Sequence, residues 1–339
     1  DGRPALKASY YSEYSDDMRN QIAALCLPGG NEINRLGELD VLLGKHFGKA
    51  VNQLLANESI DPQTITALGS HGQTIRHHPE LEFTLQIGDP NTIAIMTGIT
   101  TIADFRRKDI ALSGQGAPLV PAFHANIFRD PKINRVIVNI GGIANITILT
   151  ANTKDILGFD TGPGNTLLDL WCKQHTGKAF DENGEWARSG KVNEELLNKL
   201  FDDKFFHRSP PKSTGREYFN LNWLETKLMP TVSAVDVQTT LLDLTAHTIV
   251  NSFQAFVPNG EIIVCGGGAR NNYLMKRLKN IATNYKVMTT NEFGINPEWI
   301  EAMAFAWLAR QTFLRKPGNV KSVTGAQKEV SLGGIYYPN

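Results

Sequence analysis

The chain has 339 residues, of which 41% are hydrophobic and 20% charged, and its 34 basic side chains balance 34 acidic ones. A neutral balance excludes the broad basic field that nucleic acid or an anionic membrane surface would select. No apolar run approaches about 18 residues, so no membrane span is expected. Cys26, Cys172 and Cys265 form no CxxC pair, which argues against a zinc site or disulfide framework and fits a reducing compartment. The length suggests two lobes of roughly 100–200 residues each.

Taken in order, the elements read as α/β. Residues 65–69 form an expected strand that runs into Ser-His-Gly-Gln-Thr, 83–87 alternate as a second strand, and 100–105 form a third. Asp130-Pro131-Lys132 is turn chemistry before a new strand and marks a lobe boundary. Residues 135–140 and 144–149 are β-rich runs joined through Gly141-Gly142, the pattern of a hairpin. With a further strand at 156–159, the second lobe should hold a mixed sheet. A helix is expected over 166–175, with Thr166 and Asp169 at capping-box spacing and Gly177 as its stop. Residues 201–222 are polar and proline-interrupted and read as a surface excursion. A helix over 239–256, a strand over 261–265 and a helix from 273 follow. Pro297 opens a last long helix that stops at Pro317-Gly318.

Common single motifs are absent. Pro211 stands where a Walker A loop needs glycine in "PPKSTG", and there is no GxGxxG, HExxH or GxSxG. Three glycine turns remain, each directly after a strand. The first carries Asn139, Gly141, Gly142 and Asn145, the second Gly162, Gly164 and Asn165, and the third Gly266, Gly267 and Gly268. Glycine lets backbone approach a ligand, and N–H groups at a helix start attract phosphate oxygens. Each turn alone has an ordinary structural explanation; three in one lobe favour a nucleotide held by several loops. Asp160, at a strand's carboxyl end, is either an Asx-turn residue or a general base beside transferring phosphate. Glu301, in a helix otherwise apolar for eight residues, either faces a cleft or complements the helix N-terminus. His71, His77 and His78 lack metal-ligand spacing and read as surface or hydrogen-bonding residues. The 104–121 loop is either a solvated charged loop or a grip on a carboxylate or sugar, for which Arg is the bidentate partner.

In order, "SHGQT", "QIGDP", "ADFRRKDIALSGQGAPLVP", "NIGGIAN", "GFDTGPGN" and "EAMAFAWLA" resemble the bacterial anhydro-N-acetylmuramic acid kinase family over essentially the whole chain. The resemblance implies a two-lobed sugar kinase/Hsp70/actin-like α/β fold, with mixed sheets flanked by helices and an inter-lobe cleft. The lobes would be residues 1–131 with about 315–339, facing sugar, and 132–314, binding nucleotide. It implies ATP and Mg²⁺ as cofactors, with no assignment of the metal ligands. The substrate would be 1,6-anhydro-N-acetylmuramic acid, opened by water and phosphorylated on O6 in cell-wall recycling. Asp160 would be the general base, with Glu301, Arg106 and Arg107 at the sugar. The first two glycine turns would approach the phosphates and the third would border the adenosine. A cytoplasmic location and a homodimer are further family expectations; no nucleic acid or membrane partner is expected. The family also carries an N-terminal "GTS-x-DG" phosphate loop that this sequence lacks. A chain truly beginning at Asp1 is therefore expected to have little activity. A kinase for another anhydro sugar and a non-catalytic nucleotide-binding protein are the alternative readings.

Overall fold

The computed structural model describes residues 4–339. Its contacts divide the chain into two compact units, Asp1–Phe123 with Glu301–Asn339, and His124–Ile300. The expected borders near 131 and 315 lie further along the chain, at turns. Helices Val120–Phe128 and Ile300–Phe313 each hold residues of both units. A border inside a helix leaves no turn signal in the sequence.

In the first unit, α1 (Asp16–Leu25) is N-capped by Ser15, whose hydroxyl accepts from the Met18 N–H at 3.2 Å. It is followed by α2 (Glu32–Asn57). Their apolar faces bring Met18, Leu25, Leu39 and Leu43 against Ile75 and Ile87. The last two belong to an antiparallel hairpin, β2 (Gln73–His78) and β3 (Phe83–Ile87). The short β1 (Leu68–Gly69) precedes it, and α3 (Pro90–Thr97) follows, capped by Asp89 and stopped by Gly98 in the left-handed region. β4 (Thr101–Ala103) pairs in parallel with β1 and leads into α4 (Arg107–Ile110) and α5 (Val120–Phe128).

The second unit is built on a five-stranded sheet. β5 (Arg135–Ile140), β6 (Ile143–Leu149) and β7 (Ile156–Pro163) form an antiparallel meander, so the expected hairpin is present; the third strand runs past its expected end at 159, because its pairing with β6 continues to Ile143, and Asp160 and Gly162 lie inside it rather than after it. β8 (Gly260–Cys265) and β9 (Tyr285–Thr289) add in parallel on the other side of β5, which makes the sheet mixed in the order β7-β6-β5-β8-β9. Val136, Val138, Ile140, Ile262 and Val264 of the central strands are fully buried, as β-branched residues covered on both faces should be. Helix α6 (Thr166–Thr176) ends at Gly177 as expected, but its N-cap is Asn165, and Thr166 is its first helical residue rather than the cap. α7 (Glu185–Ser189) and α8 (Glu194–Phe201) follow.

Residues 201–222 run largely at the surface, as expected, but the segment is anchored rather than loose. Phe205 and Phe219 are buried in the main core of this unit. The carboxylate of Asp203 gathers the segment by accepting from the Phe205 N–H at 2.9 Å, the Tyr218 hydroxyl at 2.9 Å and the Trp223 indole N–H at 2.8 Å. The segment ends in α9 (Leu221–Glu225). Next comes α10 (Ala234–Phe253), which starts five residues before the expected 239 because Ser233 accepts from the Asp236 N–H as its N-cap. α11 (Asn272–Ile281) packs on α10 and β9.

The chain re-enters the first unit along α12 (Ile300–Phe313), then forms α13 (Lys321–Thr324) and β10 (Gly334–Tyr336). β10 pairs antiparallel with β4 and completes a three-stranded sheet. Among the described residues, no helix is long and apolar enough to cross a membrane.

Candidate active site

Strand register aligns the polar residues singled out in the sequence. Cys265 of β8 pairs with Asn139 of β5, Asn139 with Asn145 of β6, and Asn145 with Asp160 of β7. Four strands therefore present one row, Asp160–Asn145–Asn139–Cys265, close to where β5 and β8 end.

The three glycine turns converge beyond this row. The N–H groups of Gly164 and Thr166 donate to the Gly142 carbonyl at 2.8 and 3.1 Å, and the Asn165 N–H donates to the Gly141 carbonyl at 2.8 Å. The Asn165 side-chain amide donates to the Ile140 carbonyl at 3.2 Å. Gly266, at φ 78°, has no room for a side chain beside Asn139 Oδ1, and Gly268 sits against Ile140. A Cβ added at Gly267 would meet only the Asn165 amide, at 3.7 Å, so this position is open. The turns at 141–142 and 162–165 are thus bonded to each other, and the third is fitted over the end of β5. Gly162 (φ 146°) lies under the Phe206 ring.

Asp160 is held from the 201–222 segment. Its N–H donates to the Lys212 carbonyl at 3.1 Å, and its Oδ2 accepts from the Thr214 N–H at 2.9 Å. Burial raises its carboxyl from the ordinary 3.8 to about 7; Thr214 and the Lys212 ammonium oppose the rise, and the Glu217 charge adds to it. Lys212 is itself fixed, donating to the Phe205 and Phe206 carbonyls at 3.3 and 3.4 Å with its ammonium 4.8 Å from the Phe205 ring centroid. A carboxylate that changes charge near neutral pH can accept a proton from water and release it again. Asp169, one turn into α6, is raised to about 6 by burial, with Arg216 pulling it back.

In the first unit, the Arg106 Nε–H donates to His71 Nε2 at 3.0 Å, and its Nη1 donates to the Gly116 carbonyl at 2.8 Å. Burial pushes the guanidinium down to about 10, against the charges of Glu301 and Asp109. Arg106 and Glu301 are therefore electrostatic neighbours, the latter in the first turn of α12. Burial, and then Arg106, lower His71 to about 3, so it is neutral and can accept from Arg106. Arg107 is not part of this group: its exposed guanidinium reaches Asp104 at 3.3 Å. His77 bonds Thr84 at 3.0 Å and His78 bonds Glu80 at 3.0 Å, local hydrogen-bonding roles as expected.

Two features escaped the sequence reading. Buried Asp109 organises the 104–121 loop. Its Oδ2 accepts from the Gly116 N–H at 2.8 Å, and its Oδ1 accepts from Asn319 at 2.7 Å and from the Thr324 hydroxyl at 2.8 Å. In a run of Arg-Arg-Lys-Asp it looks like one more solvated charge, and its partners are 210 and 215 residues away. The other feature is the clamp of Lys212, Thr214, Arg216 and Glu217 near Asp160 and Asp169. The one available signal was "PPKSTGRE", a glycine-bearing cluster with three charges between the aromatic pairs Phe205-Phe206 and Tyr218-Phe219. Among the described residues, no group of three or more His, Cys, Asp or Glu is placed to hold a metal ion.

The pattern of the anhydro-N-acetylmuramic acid kinase family matches residues 1–338. A protein of that name from Shewanella pealeana (strain ATCC 700345 / ANG-SQ1) is 53% identical over 338 residues, covering 98% of this chain and 92% of the relative. Another, from Coxiella burnetii (strain RSA 493 / Nine Mile phase I), is 53% identical over 326 residues, covering 95% and 88%. Among solved structures, the activator of the 2-hydroxyisocaproyl-CoA dehydratase from Clostridium difficile with bound ADPNP aligns at a TM-score of 0.42 and 12% identity, covering 79% of this chain and 84% of that one. The match over residues 1–338 and the two relatives at 53% identity show that the chain belongs to the anhydro-N-acetylmuramic acid kinase family.

Proposed function

We propose that this kinase opens 1,6-anhydro-N-acetylmuramic acid with water and transfers the γ-phosphoryl group of ATP to O6, with Asp160 as the general base. The observation that carries the assignment is Asp160 itself: it lies in the row of site residues, is fixed by the Thr214 N–H, and has a carboxyl poised near 7. The water oxygen bonds to C1 as its proton passes to Asp160. The C1–O6 bond breaks with its electron pair left on O6. O6 then attacks the γ-phosphorus, and the bond to the β,γ-bridging oxygen breaks with its pair leaving on ADP. The sum is anhydro sugar, water and ATP giving 6-phospho sugar, ADP and one proton, which Asp160 releases to solvent.

Arg106 and Glu301 would bind the sugar. Arg106 suits the lactyl carboxylate, because its planar fork is already oriented by His71 and Gly116. The converged glycine turns would border the nucleotide, with Gly267 as the open approach. Mg²⁺ would arrive on the ATP phosphates, neutralise their charge and keep most of its own waters, which fits a site where, among the described residues, no group of three or more His, Cys, Asp or Glu is placed to hold a metal. Asp169 would hold it through those waters, leaving Asp160 for the proton. Three free cysteines, one exposed and two buried, suit a reducing cytoplasm.

The test supplies full-length protein with ATP, Mg²⁺ and the anhydro sugar and weighs the product. A product heavier by one water and one phosphoryl group is expected. ATP bound without any phospho sugar would favour a nucleotide-binding protein instead. Equal turnover of the analogue without the lactyl group would move the substrate to a simpler anhydro sugar.

A further inference from the structure

At the entry to α6 the N-cap Asn165 N–H and the first helical Thr166 N–H, like that of Gly164, donate to the carbonyls of Gly141 and Gly142 and are not available to a phosphate. A side chain supplies positive charge at the same place. A Cβ built on Gly142 would meet Arg216 Nε at 2.5 Å, Arg216 Nη2 at 2.8 Å and Thr166 Oγ1 at 2.7 Å. The guanidinium and the hydroxyl therefore lie together over the 141–142 turn, at the start of an eleven-residue helix whose dipole favours an anion. Thr166 is 7% exposed, yet its hydroxyl oxygen is buried without a hydrogen-bond partner. An orphaned buried hydroxyl is unfavourable unless something else satisfies it.

We propose that Arg216 is a catalytic residue for phosphoryl transfer: with Thr166 Oγ1, its guanidinium holds an oxygen of the transferring phosphoryl group over the Gly141-Gly142 turn. This rests on the kinase reading above. Arg216 is carried by the segment that also clamps Asp160, so proton acceptor and phosphate cation are delivered by one stretch of chain, Lys212 to Glu217. Lys212 of the same stretch is engaged with carbonyls and an aromatic face. Among the described residues, the Arg216 guanidinium has no hydrogen bond or salt bridge, and Asp169 is the carboxylate that feels its charge. A guanidinium presented to a phosphoryl group in this way stabilises the charge spread over its equatorial oxygens.

The test compares wild type, Arg216→Lys, Arg216→Ala and Thr166→Val as full-length proteins. Arg216→Ala should lose at least ~10²-fold in kcat, with ADP affinity changed by no more than a few-fold. Added guanidinium ion should restore part of its turnover. Wild type should bind ADP with aluminium fluoride more tightly than ADP alone, and Arg216→Ala should lose that preference. Arg216→Lys should fall between the two, and Thr166→Val should weaken the fluoride complex more than ADP. A kcat for Arg216→Ala near wild type, or a loss of turnover that guanidinium does not restore while the fluoride preference persists, overturns the proposal. The fluoride readout needs no sugar. If wild type makes no phospho sugar but the preference disappears with Arg216, the substrate assignment fails and the role of Arg216 stands.

Discussion

Replacing Asp160 by Asn should slow the enzyme and stabilise it at the same time, and the stabilisation should depend on pH. The carboxyl is raised from 3.8 to about 7. A group whose folded value is raised lets stability fall as pH climbs through that window, since the folded chain then has to bury the charged form. Three units correspond to about 4 kcal/mol against folding above pH 7, and to about 1.6 kcal/mol at pH 5, where the folded group is still protonated. Asn retains an oxygen for the Thr214 N–H and carries no charge. Its advantage over wild type should therefore grow by about 2.5 kcal/mol between pH 5 and pH 8. Urea unfolding of both proteins at the two pH values measures this directly. Meanwhile turnover should drop by about 10²-fold or more, with nucleotide binding kept. A stability difference that is the same at both pH values would refute the burial argument. Near-normal turnover would remove Asp160 from the chemistry.

Other consequences can be measured separately. The pH dependence of turnover should rise to a plateau with a midpoint near 7, set by Asp160; Glu217→Gln should move that midpoint down and Lys212→Met should move it up, as rate profiles across pH 5–9 will show. His71, held near 3, should leave no mark on that profile. Arg106→Lys cannot reach His71 and the Gly116 carbonyl together, so the KM for the sugar should rise about tenfold or more with the KM for ATP unchanged in initial-rate assays. Asp109→Ala strands the Gly116 N–H and one Asn319 amide hydrogen and leaves the Thr324 hydroxyl only the Val320 carbonyl at 3.4 Å, so it should destabilise the first unit by about 2 kcal/mol or more, seen as a lower urea midpoint and faster proteolysis of that unit.

Much of the second unit was legible because its signals are local. β-branched runs at 135–140 and 261–265 and glycines after them specify strands that end in turns, and the strands formed there. Asn139, Asn145 and Asp160 could be picked one by one, but their alignment in a row depends on strand register, with a bulge between Ala144 and Asn145. The surface course of 201–222 was legible, but its anchoring was not, because its order comes from one carboxylate, Asp203, gathering Tyr218 and Trp223 from 15 and 20 residues away. No periodicity announces such a hub, and its prolines and charges mimic a solvated loop. Thr166 was mistaken for a cap because Ser/Thr spacing to an acid is the usual signature, whereas the chain places Asn165 at the boundary and leaves Thr166 inside.

The Asp109 hub bears on how the chain is made. Two of its donors, Asn319 and Thr324, and the strand that closes the first unit's three-stranded sheet, β10, are made after residues 124–300. The contiguous residues 124–300 can collapse while synthesis continues. The first unit is begun early yet cannot finish until residues 319–336 emerge. For that interval it carries a carboxylate without its partners and a strand with an open edge, the state in which a nascent protein most needs a chaperone.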